Sequence, residues 1–169
     1  MSISSVGQQL KAQTPSSEPP REPPLDLQLL QPGSQPDSEN AISQTNISET
    51  GLTIPSLWWD KQLFANTKLL DNWLAYPNEE QEHDRGITGG RVDLVVNRQI
   101  WRLLDYLQRY EFVNYFGSAA QQYRYNTRVF NRQGGLLGAY TCDFTVEPSV
   151  CRIWLDSSGF QGSRQQFIP

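Results

Sequence analysis

Tyr123, Arg124, Tyr125, Asn126 and Arg128 bring two phenols, two guanidinium groups and an amide to one short stretch. Such a group can line a groove for a small molecule or a protein. Guanidinium forks read carboxylates and phosphates, and phenols supply flat contact area with a polar tip. The plainer reading is a strand surface with arginines stacked on tyrosines. Trp58 and Trp59 form the second candidate. Neighbours on a helix lie about 100° apart, so both cannot face one core. One of the two is expected to be partly exposed. It packs on a sheet edge or the tail, or it anchors a partner protein or a membrane surface.

Other chemistry is poorly supplied. Glu79, Glu80, Glu82 and Asp84 surround His83, the only histidine, in a polar loop from 77 to 90. No spacing there fixes a ligand geometry, so a solvated loop is the expectation. Gly89-Gly90 precedes a strand rather than a helix and is no phosphate loop. Serine-hydrolase, P-loop, zinc and dinucleotide signatures are missing, so no catalytic residue, metal or cofactor is assigned. Cys142 and Cys151 are the only cysteines. In a cytosolic protein both are expected as reduced core residues. The alternative is a bridge across the turn between them.

Charge is divided unevenly along the 169 residues. Positions 1–52 hold 2 basic and 6 acidic residues, leaving 12 of each sign for the remainder. A neutral domain offers no footprint for a phosphate backbone, which argues against nucleic acid as a partner. No apolar run approaches the roughly 18 residues of a membrane span, and no secretory signal is visible, so a cytoplasmic setting is expected.

The elements that must position these residues are legible as periods. Positions 1–52 are rich in Ser, Pro, Gln and Glu, with no aromatic residue, and read as a disordered tail. One apolar island interrupts it, Pro24-Leu25-Asp26-Leu27-Gln28-Leu29-Leu30. It is either a chance cluster or a short segment that docks on a partner. A compact domain is expected over 53–156, followed by a frayed tail at 157–169. Its first element is a helix, or two short ones, over about 56–76, ended by Pro77. Val92, Leu94 and Val96 alternate as a strand. Asn97 can cap a helix whose buried face is Ile100, Leu103, Leu104 and Leu107. Gly117 is expected to stop it, and Ser118 to cap a short helix to Tyr123. Strands follow from Asn126, from Leu136 to Phe144 and from Cys151 to Leu155, joined by turns at 132–135 and 145–149. Leu136, Gly138, Tyr140 and Cys142 are expected on one face. The fold class is therefore α+β: an N-terminal helix, then β-α-β-β-β, with an antiparallel meander packed against helices.

The blocks IPSLWWDKQLF, KLLDNWLAYP, RVDLVVNRQIWRLLDYLQRYEFVNYFG and YNTRVFNRQGGLLGAYTCDF resemble a family of short, uncharacterised cyanobacterial proteins, over about residues 53–145. The resemblance implies a cyanobacterial source, with a cytosolic or thylakoid-facing setting. It brings no functional residue with it.

Three functions are compatible with these features. The first is a non-enzymatic interaction module that binds a larger protein assembly, at a thylakoid surface, through Trp58 or Trp59 and the tail. The second is a TonB/TolA-like periplasmic module with Cys142 bridged to Cys151. The third is an enzyme or small-molecule binder that uses Tyr125, Arg128 and Asn126.

Overall fold

A computed structural model of the chain describes residues 18–20, 23–31, 42–43, 68–77 and 89–157. Trp58, Trp59, His83 and the expected helix at 56–67 lie outside the described residues. The strands are β1 (Ile42–Ser43), β2 (Leu70–Tyr76), β3 (Gly90–Val96), β4 (Tyr125–Asn131), β5 (Leu136–Asp143) and β6 (Val150–Leu155). Two helices, α1 (Arg98–Leu103) and α2 (Tyr106–Gln121), lie between β3 and β4. The sheet order is β1-β2-β3-β4-β5-β6. Five strands make its body, and β1 is a two-residue pairing on the edge of β2. Only β3 and β4 run parallel; every other pair is antiparallel. A parallel pair needs a long crossover, which the helices provide. The α+β class and the β4–β5–β6 meander are as expected.

Residues 70–76 correct the first expectation, because they form a strand and not the end of a helix. The register slips between Leu70 and Asn72. This bulge inserts one residue and lets Leu70 and Trp73 reach the same core cluster, although they are three apart. Three-residue spacing on one face is what a helix would give, so the bulge imitates the helical period. Asn72 Oδ1 accepts from the Trp73 amide at 2.8 Å.

The long helix is also corrected. It breaks at Leu104, whose ψ of 137° is extended, and restarts under Asp105. Asp105 and Gln108 form a reciprocal capping box, with bonds of 2.8 and 2.9 Å. Arg109 Nε donates to the Leu104 carbonyl at 3.1 Å and closes the elbow. The break shifts the helical phase, so the expected face does not carry across it. Leu103 and Leu107 are 83% and 61% exposed, while Trp101, Phe112, Val113, Phe116 and Ala120 are buried. Asn97 does cap α1, accepting from the Gln99 and Ile100 amides.

Gly117 does not stop the helix; α2 continues through it to Gln121. The residue is small for a packing reason. A Cβ there would lie 2.2 Å from Cγ of Tyr140. Tyr140 sits on β5 and is fully buried, so α2 lies almost directly on the sheet.

Two further corrections concern β5. A register shift between Val129 and Phe130 pairs Phe130 with Leu136, so Leu136 joins the opposite face from Tyr140. Cys142 and Cys151 are direct partners across β5 and β6, with Cα atoms 4.0 Å apart, and they form a disulfide rather than two free thiols. The turn at 132–135 is as expected: Gly134 takes a φ of +82°, and Asn131 Oδ1 accepts from the Gln133 and Gly135 amides.

The Tyr140 ring cannot swing away from Gly117, because its hydroxyl donates to Gln121 Oε1 at 2.9 Å. Gly117→Ala is therefore expected to lose about 1–3 kcal/mol by overpacking, more than the roughly 1 kcal/mol that alanine gains as a helix former. A denaturation midpoint at or above that of the wild type would refute the close-approach account.

Candidate functional site

The sheet has two covered faces. Both helices lie on one, over Trp73, Val92, Leu94, Val129 and Tyr140. The other face belongs to side chains of alternate register: Leu74, Val95 and Phe130. Residues 23–31 of the acidic tail lie on it. Leu25 is 6% exposed and packs on those three residues, with Leu29 and Leu30 half-buried beside it. The apolar island is thus seated on the chain's own sheet. Its shape is set locally: Asp26 Oδ1 accepts from the Gln28 and Leu29 amides at 3.0 and 3.3 Å, folding the chain into a turn.

At the centre of this second face lies a buried ion pair. Arg128 Nε and Nη2 donate to the two carboxylate oxygens of Asp93 at 2.8 and 2.7 Å. The third donor, Nη1, reaches the Pro23 carbonyl of the seated segment. Parallel pairing sets Asp93 directly beside Arg128, and both groups are almost fully buried. Two parallel bonds fix the plane of the guanidinium, so its remaining donor points at the segment's backbone. Arg91 extends the group: its Nε lies 3.7 Å from Asp93 Oδ2, and its guanidinium stacks 4.3 Å over the Tyr76 ring. Burial, and then the Asp93 charge, push the Tyr76 hydroxyl above the usual tyrosine range. Nearby, Arg132 and Asp71 pair at 2.8 Å on the rim of a cleft of about 400 Å³. Leu27 and Leu30 of the segment and Asn72 and Val95 of the sheet line that cleft.

The sequence-predicted cluster is not brought together. Tyr123 is exposed beyond α2. Arg124, at a φ of +61°, donates to the Phe144 carbonyl at 3.0 Å and stacks over that ring. Tyr125 is buried in the helix-side core. Asn126 Oδ1 accepts from the Cys142 amide at 2.7 Å and so prolongs the β4–β5 ladder. Only Arg128 belongs to the second face's charged group. Strand alternation separates Tyr125 from Arg128, and neither the 400 Å³ cleft nor a second one of about 640 Å³ beside the disulfide is lined by Tyr125, Asn126 or Arg128. Tyr125 therefore faces the helix-side core while Arg128 belongs to the opposite face.

Sequence reasoning missed Asp93 and the role of the island. The signal for Asp93 was present: a carboxylate inside an apolar strand, with an arginine inside the next strand after a helical crossover. Among the described residues, no group of three His, Cys, Asp or Glu side chains could hold a metal ion. Nor is any helix among them long and apolar enough to cross a membrane.

Removing one partner of a buried pair leaves an uncompensated charge, at a cost of about 3–5 kcal/mol. Arg128→Ala and Asp93→Ala are each expected to destabilise by that amount in chemical denaturation, and Arg128→Met with Asp93→Leu to recover most of it. A loss under about 1 kcal/mol for Arg128→Ala would show that the pair is not held dry. No family model matches the chain, and no curated protein or solved structure matches it.

Proposed function

We propose that the chain is a non-enzymatic protein-interaction module that binds a leucine-bearing segment on the second face of its sheet. The seating of residues 23–31 carries this reading. That face takes an apolar side chain between Leu74, Val95 and Phe130 and takes a backbone carbonyl on Arg128. A side-chain pocket plus a backbone contact is how extended peptides are recognised. The hold is sparse. One fully buried leucine contributes about 1.5–3 kcal/mol, the size of ordering only one or two backbone residues. A segment anchored by one fully buried side chain can be exchanged for a partner's.

The test uses a fluorescein-labelled peptide spanning residues 20–33 and the full-length chain carrying Leu25→Asp. A carboxylate at that site costs too much to desolvate, so the chain's own segment is released. The variant is expected to melt cooperatively and to bind the peptide saturably in fluorescence anisotropy. The wild type is expected to bind it at least about ten-fold more weakly, because its tethered segment competes at high effective concentration. A variant that no longer folds would make the segment part of the core. That outcome, or no binding by a folded variant, sinks the reading.

The Cys142–Cys151 disulfide favours a second reading, a TonB/TolA-like module on the periplasmic side, where oxidising chemistry preserves such bridges. Beyond the bridge, its support is fold-level analogy. Alkylation of protein taken directly from cells, followed by mass analysis, decides it. A bridged pair is expected, and two alkylated thiols would eliminate this reading.

A further inference from the structure

Among the described residues, the seated segment leaves part of its own groove unfilled. The cleft of about 400 Å³ opens between Leu27 and Leu30 of the segment and Asn72 and Val95 of the sheet. A groove fully matched to its occupant would close to the packing density of a protein interior, with few voids larger than a water molecule. Leu27 remains 45% exposed at this place, and Leu30 is half-buried. The segment thus satisfies the Leu25 pocket and the Arg128 donor and underfills the position of Leu30.

Charge on this face also selects. Arg91, Arg128 and Arg132 stand against Asp93 and Asp71, an excess of one positive charge. The occupying segment comes from a tail with an excess of four negative charges and carries Asp26 in its turn. Arg91 adds a buried Nε that meets no hydrogen-bond acceptor among the described residues, the Asp93 carboxylate lying 3.7 Å away. An acidic occupant complements that balance; a basic one does not.

Resting on the peptide-binding reading, we infer that the cleft is a specificity pocket for a bulky aromatic side chain of an acidic partner peptide, and that residues 23–31 are an underfilling stand-in for it. The partner peptide places a leucine in the Leu25 pocket, a carbonyl on Arg128 and, five residues after the Leu25 position, a tryptophan or phenylalanine in the cleft. The stand-in is displaced because the partner buries aromatic surface that Leu30 does not supply.

Two labelled peptides spanning residues 20–33 test this, one with the native sequence and one with Leu30→Trp. Each is titrated into the full-length Leu25→Asp chain. The tryptophan peptide is expected to bind at least about five-fold tighter. Asn72→Phe in the same chain fills the cleft from the sheet side. It is expected to abolish that gain, so that the two peptides bind this variant alike. Equal affinities for the two peptides, or a gain that survives Asn72→Phe, overturn the pocket and leave the peptide-binding reading standing. If neither peptide binds, the peptide-binding reading falls and the pocket falls with it. Sedimentation of the wild-type chain is expected to give a monomer. A dimer that dissociates with Leu25→Asp would assign the face to a second copy's segment and overturn the partner-peptide inference.

Discussion

A carboxylate and a guanidinium face each other across the one parallel pair in the sheet, and much of the rest is arranged to keep them dry. Asp93 and Arg128 are direct neighbours only because β3 and β4 run parallel in this register. Parallel pairing requires the crossover, the crossover supplies both helices, and the helices cover one face. The opposite face, which holds the pair, is then left to be covered by something else. Residues 23–31 cover it. The desolvation of two charges is offset by bidentate geometry and by the third bond to the Pro23 carbonyl.

This gives the two faces different characters. The helix side is a continuous apolar core in which Gly117 lets α2 approach Tyr140 closely. Close packing of that kind leaves little freedom. The second side combines a few apolar contacts, three arginines, two aspartates and a cleft. Its cover is the short segment of residues 23–31.

The edges of the sheet follow the same division. On one side β1 extends the pairing by two residues. On the other, β6 is tied to β5 by a disulfide between directly opposed residues. A cross-link at the end of a meander restrains the outer strand without needing a second layer of side chains there.

The sequence alone determined a good part of this. Alternation marked β3 and β6, Gly134-Gly135 marked the turn at 132–135, and Asn97 marked the start of α1. Those signals are local: side-chain direction in a strand, positive φ and cap hydrogen bonds depend on neighbours in the chain. What failed depended on contacts between distant residues. The bulge in β2 imitated a helical period, and Gly117 looked like a stop because its partner Tyr140 lies on another strand. The 98–107 face lost its phase at the capping box of Asp105 and Gln108, which interrupts the apolar period. The five residues from Tyr123 to Arg128 looked like one cluster, yet alternation sent Tyr125 to one face and Arg128 to the other. Only the tertiary structure set Arg128 beside Asp93 and laid the apolar island over them, because strand register and burial are decided by which surfaces meet, and no local pattern in the chain encodes that meeting.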